Sequence, residues 1–582
     1  MDTICPFPAF SVRDFSSNDI VRRNLAVSAA VQPLEPLPAW EEDEKPTIPG
    51  SPATPRHSVR LRIAYLAVGL LVSATSGLGN AIVSANLPEI QGSLGLTPVQ
   101  GAWLPTAYVM VNVSSNLILF KCRQQFGIRR FAEAGLLAYL LVTALYLLVQ
   151  SYEAAVAVRA IAGFAAAPMS ALSVFYILQV FPKAKLGQGL CVALGLSQVW
   201  TPVAWLMSPA LLDLGDWQTL YLFEFGLATC TLAACVVLKL PPGIRIKVFE
   251  RTDLLTFALL APAFALIGAV LAQGRIQWWT EQLWMAVALI VALALFLGAF
   301  LIEHHRSNPL IMTRWLGTGE TIRFAIGAFG MRMLLSEQTF AAAGLLRTLG
   351  MGPDQLQFFY AVILAGIVFG FAVSALTFGP KGLMVQLLGS VALIVIGSLL
   401  DNDATSDTRP NTMIVSQFLL AMASGLFMGP LLLIGVMKAL SKGADHIVTF
   451  AVLFAVTQSL GGLAGSAIYG TFQQVREHEY SAQITANLDP GDPVVAQRLA
   501  QQGQVYAAQV TDPVRRQAQG VGLLARTATR EANVRAYNDI FTLNAILAGL
   551  FLVWSVFRVA LAARAARNQP PPAGQDAGAA AV

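Results

Sequence analysis

The 582-residue chain is 55% hydrophobic and only 12% charged, with a mean hydropathy of +0.61. A soluble domain carries about 25% charged residues, and a soluble protein with a few buried helices cannot supply so many apolar runs of about 20 residues. The net charge of +5 is scattered through short connections, which argues against a nucleic-acid surface; the composition is that of a polytopic membrane protein in a lipid bilayer.

Residues 1–60 are rich in Pro, Ser and charge, as in "PLEPLPAWEEDEKPTIPGSPATPRH", and read as a disordered tail. They show no basic segment followed by an apolar core, so no cleavable signal peptide is expected. Apolar runs then predict an all-α fold of fourteen spans. Six fall near 61–83, 98–120, 131–150, 153–181, 187–212 and 217–240, forming a unit over 61–240. Two linker spans near 253–273 and 280–302 lie within 241–320. Six more, near 321–345, 354–378, 384–400, 411–438, 447–474 and 540–563, complete a second unit over 321–563. Residues 564–582 read as a second tail.

Basic residues in short connections set the orientation. Sixteen, among them Lys121, Arg129, Arg130, Lys183, Lys239, Arg245, Arg306 and Lys381, fall on one side; Arg275, Arg347 and Arg409 fall on the other. The first side is expected to be cytoplasmic, with both termini there. The long polar insertion 475–539 then lies outside. It has seven Lys or Arg and seven Asp or Glu, and its two helix-prone stretches suit either a passive cap or a docking surface for an envelope partner.

Ionisable groups inside a bilayer are costly, about 2.5–3.5 kcal/mol at a helix centre on insertion scales. Arg159 opens the fourth span in "RAIAGFAAAP" and is expected either to snorkel outward or to face a cavity and meet an anion or an acid. The small residues after it suit close helix packing. Glu224 sits inside the sixth span and is the first candidate for a coupling proton, with an ion pair to Arg159 as the alternative. Arg332 and Glu337 share the ninth span about 140° apart at about 100° per residue, so each needs a partner on another helix. Glu337 is a second proton candidate. Gln198, Trp200, Trp103 and Tyr108 supply aromatic faces and hydrogen-bonding tips suited to a large cavity.

Other chemistry has no support in the pattern. The five cysteines are scattered and lack metal-ligand spacing. His304 and His305 are adjacent, so they do not share a helix face. No P-loop or convincing hydrolytic triad is present, and neither an enzyme nor a cofactor is expected.

Several segments together resemble the fourteen-span drug:proton antiporter branch of the major facilitator superfamily, the EmrB/QacA type. They are "ANLPEIQGSLGLTPVQGAWLPTAYVMVN" (85–112), "RAIAGFAAAP" (159–168), "DWQTLYLFEFG" (216–226), "GLFMGPLLL" (425–433) and "QSLGGLAGSAIYG" (458–470). The resemblance covers roughly 65–563 and implies two six-helix bundles around a central cavity, two extra spans and movement by alternating access. The chain departs from that family where it matters for coupling. The usual acid of the first span is replaced by Gly79 and Asn80. The gating loop "FKCRQQFGIRR" keeps Gly127, Arg129 and Arg130 but lacks its Asp. The family's fourth-span Gln is Ala162.

These features suit a proton-coupled exporter of amphipathic compounds in a bacterial inner membrane, with 475–539 contacting a periplasmic adaptor of a tripartite pump. An exporter of organic anions, favoured by Arg159 and Arg332, is the alternative within transport. A non-transporting membrane sensor or scaffold is the alternative outside it.

Overall fold

The computed structural model describes residues 40–567, except 42–43, 47–49, 150, 214–216, 307–308, 444–445 and 490. Among the described residues there are fourteen long helices, which we number in chain order. The first six are α1 (Val59–Ala85), α2 (Pro98–Phe126), α3 (Ile128–Tyr146), α4 (Tyr152–Leu178), α5 (Leu186–Asp213) and α6 (Gln218–Val237). Two linkers follow, α7 (Arg251–Gln277) and α8 (Leu283–His305). The last six are α9 (Gly319–Glu337), α10 (Gln357–Leu376), α11 (Pro380–Leu400), α12 (Ile414–Lys442), α13 (His446–Ala486) and α14 (Pro513–Arg567).

Among the described residues, twelve segments are long and apolar enough to cross a membrane. The two long helices that miss this measure are α3 and α9. Arg129, Arg130 and Glu133 crowd the start of α3, and α9 contains Arg332 and Glu337 before a π turn at Gln338–Ala342 that leads into Ala343–Thr348. The fourteen predicted spans are compatible with this arrangement.

Local sequence starts and stops the helices. Ser58 caps α1, Thr97 and Gln100 form a reciprocal capping box on α2, and Ser151 caps α4. Gly127 separates α2 from α3 at φ 81°, a left-handed backbone that suits glycine. Within the first set, α1 packs on α4, α5 and α6, α2 on α4, and α3 on α4 and α6. Gly163 brings α4 so close to α2 that a Cβ there would lie 2.3 Å from the Tyr108 carbonyl oxygen. The second set repeats the device: a Cβ on Gly425 of α12 would lie 2.4 Å from the Ile367 carbonyl oxygen of α10. The small residues therefore serve helix approach.

The two sets meet chiefly where α5 runs along α10 and α12, and where α2 meets α13. Helix α7 touches both sets through α2 and α13, whereas α8 rests mainly on α7. One end of the assembly is a basic face. There Lys121 bonds to Asp253 at 2.9 Å, Arg306 bonds to Glu250, Asp253 and Glu303, and Arg129 donates to the Leu240 carbonyl at 2.6 Å. Burial works against the charge on Arg306, but its bonds to Glu303, Glu250 and Asp253 prevail and push its pKa up.

One expectation needs correction. Residues 50–58, assigned to a disordered tail, are ordered on the basic face. Gly50 and Ala53 bond to the backbone of Ile244 and Pro242, and His57 meets Gln179 at 2.9 Å. Backbone hydrogen bonding outweighs the polar, proline-rich composition there. Residues 1–39 and 568–582 lie outside the described residues. The insertion 475–539 is mostly helical: α13 continues to Ala486, α14 begins at Pro513, and Pro493–Gln504 packs on α14. The predicted span 540–563 is thus the second part of a 55-residue helix. Propensity in the polar half, helped by the i,i+4 pair Glu531–Arg535 at 3.3 Å and by the Arg476–Asp539 tie to α13 at 2.5 Å, carries the helix past the apolar stretch.

Candidate functional site

Two groups of buried ionisable residues stand out, one in each helix set. In the first, Arg159 is fully buried on α4. Its guanidinium donates to the carbonyls of Gly79 at 3.1 Å and Leu104 at 3.4 Å, to the Tyr146 hydroxyl at 3.3 Å and to Asn80 Oδ1 at 2.6 Å. It also lies 4.7 Å over the Tyr108 ring. A permanent charge is tolerated in this helix because helix carbonyls, an amide and tyrosine faces replace its water shell. It neither snorkels nor faces open space.

Glu224 is 2% exposed and accepts a hydrogen bond from the Tyr139 hydroxyl at 2.5 Å. Behind it, Tyr139 also reaches the Thr75 carbonyl at 3.4 Å, and Thr75 meets Thr231 hydroxyl to hydroxyl at 2.6 Å. The expected ion pair is not formed: Arg159 and Glu224 are neighbours in the same buried pocket but share no hydrogen bond. Gly79 makes this geometry possible. A Cβ on it would lie 2.2 Å from the Tyr139 hydroxyl and 2.6 Å from Glu224 Oε1. The space beside α1 is filled by an acid brought from α6.

In the second set, Glu337 is fully buried at the end of α9 and neither carboxyl oxygen accepts a well-formed hydrogen bond. Gln417 and Asp401 lie alongside it. Gln417 donates to Asp401 Oδ2 at 2.7 Å, Ser416 donates to Asp401 Oδ1 at 2.5 Å, and Gln338 donates to both oxygens of Gln417 at 2.9 and 3.2 Å. Sequence reading missed Asp401, Ser416 and Gln417. Asp401 looks like an ordinary loop acid in "LLDNDATSD", and only the fold shows it to be 4% exposed.

Between the sets, Arg332 of α9 donates to Gln198 of α5 at 3.3 Å. Both are half-buried, beside exposed Ser197. Gly461 and Gly462 of α13 pack against the Arg332 side chain. One turn earlier on α13, Gln458 has a buried amide with no hydrogen bond. Arg332 and Gln198 form a polar contact between the sets, and Gln458 is a buried amide that reading for charges overlooked. Trp200 reaches Ser73 at 2.8 Å and its ring lies on Gly77, facing α1. Trp103 belongs elsewhere: its ring lies 5.9 Å from Trp284 of α8.

The interface also carries an aromatic clamp at the end opposite the basic face. Trp205 of α5 stacks on Tyr360 of α10 at 4.9 Å and 6°, and the Arg347 guanidinium caps the Trp205 ring at 4.3 Å. Between α2 and α3, Arg129 is bonded as described, Gly127 lies under the Arg245 side chain, and Arg130 is exposed. An open pocket lined by Leu349, Met351, Phe358, Arg409 and Asn411 contains none of the buried acids. Among the described residues no cluster of His, Cys, Asp or Glu could hold a metal.

Comparison with known proteins agrees with this architecture. The sequence profile of the Major Facilitator Superfamily matches residues 69–466. The multidrug export protein EmrB of Haemophilus influenzae is 21% identical over 82% of this chain and 92% of its own. The uncharacterized transporter YebQ of Escherichia coli is 26% identical, and that match spans 45% of this chain and about half of the relative, 55%. Among solved structures, the human organic anion transporter MFSD10 is similar in fold, with a TM-score of 0.51 at 13% identity, covering 85% of this chain and all of that one.

Proposed function

The chain belongs to the Major Facilitator Superfamily, and from that premise we propose that it is a proton-coupled exporter of amphipathic organic compounds, working by alternating access. The observation that carries this reading is Glu224, a buried acid bonded to one tyrosine and held beside a fixed cation without an ion pair. A carboxyl so placed can gain or lose a proton without dismantling a salt bridge, and the nearby guanidinium responds to its charge state. The Arg332–Gln198 contact between the two helix sets, with Gln458 one turn from the glycines packed on Arg332, is the substrate region in this reading.

In this proposal the basic face is cytoplasmic, both termini lie on that side, and the membrane is the bacterial inner membrane. The Trp205–Tyr360–Arg347 clamp then closes the outer side. The helices of 475–539 project outward as the contact for a periplasmic adaptor. A second reading, export of organic anions, is favoured by Arg332, whose hydrogen bond goes to a neutral amide.

Purified protein in liposomes is the test. Ethidium, an aromatic cation, and salicylate, an aromatic carboxylate, are added while bound probe and released protons are followed. Wild type releasing protons on binding, with release lost and binding kept in Glu224→Gln, is the expected result. Release that survives the substitution removes Glu224 from the role, and binding of either probe without release contradicts proton coupling. Loss of salicylate binding but not ethidium binding in Arg332→Gln selects the anion reading.

A further inference from the structure

Glu337 presents a physical problem that the Glu224 mechanism does not use. A fully buried carboxylate whose oxygens accept no well-formed hydrogen bond is costly. The groups around it offer little relief. On its own helix, Arg332 lies five positions back and turns to Gln198 on α5. From α12 comes Gln417, and from the α11–α12 connection the acid Asp401. From α13 comes Tyr469, whose hydroxyl is already given to Asn544 of α14 at 2.5 Å. Asn544 in turn donates to Ser398 of α11 at 2.9 Å.

The second observation is local backbone geometry. Immediately after Glu337 the helix widens into the π turn Gln338–Ala342. Such widened turns are rare and gather at functional sites. This one places Gln338 where it donates to Gln417. Gln417 therefore has its oxygen occupied by Gln338 and one N–H on Asp401, while Glu337 stands beside it. Two buried acids that flank one amide do not both ionise readily, and the neutral one needs no cation.

We propose that Glu337 and Asp401, bridged by Gln417, form a second proton-binding site in the second helix set, which holds one shared proton and loads independently of Glu224. The proton resides on a Glu337 carboxyl oxygen when Asp401 is ionised. Asp401 keeps its negative charge there through the donors Ser416 and Gln417. Because the site stands apart from Arg159 and Glu224, it does not rest on the export reading.

Infrared difference spectroscopy of the full chain in lipid tests this directly, since protonated carboxyls absorb apart from ionised ones. No transport substrate is needed, so failure here is distinct from failure of the export reading. Wild-type protein at neutral pH should show a protonated-carboxyl component that Glu337→Gln removes and Glu224→Gln leaves in place. Asp401→Asn should shift the same component rather than remove it. A spectrum of Glu337→Gln identical to wild type overturns the proposal. Should Glu337→Gln fail to fold, Gln417→Leu decides, because it retains both acids: a shifted component supports the bridge, and an unshifted one overturns it.

Discussion

The two helix sets bury acids in opposite ways. Glu224 sits in a furnished pocket: a tyrosine donates to it, a guanidinium lies nearby, and Gly79 clears its space. Glu337 sits in a bare one, with no well-formed hydrogen bond and a second acid for company. The same side-chain chemistry therefore has two settings. A furnished acid can change charge while its surroundings stay assembled; a bare acid is stable only while something neutralises it. On that difference rests our proposal of exchange in the first set and retention in the second.

The comparison can be broken most forcefully by a charge that belongs to neither pocket. Lys121 and Asp253 are 2% and 0% exposed, and Asp253 also holds Arg306. Lys121→Met should destabilise by about 1.5–3 kcal/mol, because it removes a charged donor from buried Asp253 and leaves Arg306 as its remaining cation. Thermal unfolding in detergent should show this large drop with proton binding by the acids otherwise intact. An unchanged midpoint would mean the basic face does not depend on this pair.

Gly79→Ala comes next. The added methyl would meet the Tyr139 hydroxyl and Glu224 Oε1 well inside contact distance, so overpacking should cost about 1–3 kcal/mol. Unlike Lys121→Met, it should also weaken proton exchange, since it pushes on the acid itself. Retained exchange with lowered stability would separate the glycine from the chemistry. The smallest effect is expected from Tyr139→Phe, which removes one hydrogen bond and should cost about 1–2 kcal/mol. Its signature should be a displaced pH profile of exchange, read in liposomes, with binding of ethidium preserved; an unmoved profile would mean Tyr139 only packs.

Much of the fold was legible because hydropathy and helix-breaking residues act locally. The run of apolar segments and the order of fourteen helices could be read from composition alone. Charges in the apolar runs likewise announced Arg159, Glu224, Arg332 and Glu337. Their partners were not legible, because these come from helices distant in sequence: Asn80 and Leu104 for Arg159, Tyr139 for Glu224, Gln198 for Arg332. Asp401 escaped because nothing in "LLDNDATSD" distinguishes a buried acid from its exposed neighbours. Trp103 was assigned to a central cavity on residue type, but its place on α2 turns it toward the linker helix α8. The polar part of α14 was legible as helix-prone, but its continuity with the span 540–563 was not, because hydropathy marks only where a helix is apolar.

The most direct measurement compares probe-driven proton release by wild type, Glu224→Gln and Glu337→Gln in the same liposomes. Release should be lost with Glu224→Gln and kept with Glu337→Gln, while both variants still bind ethidium. Release that survives Glu224→Gln but disappears with Glu337→Gln would contradict this, moving exchange to the bare acid and leaving the furnished one as packing.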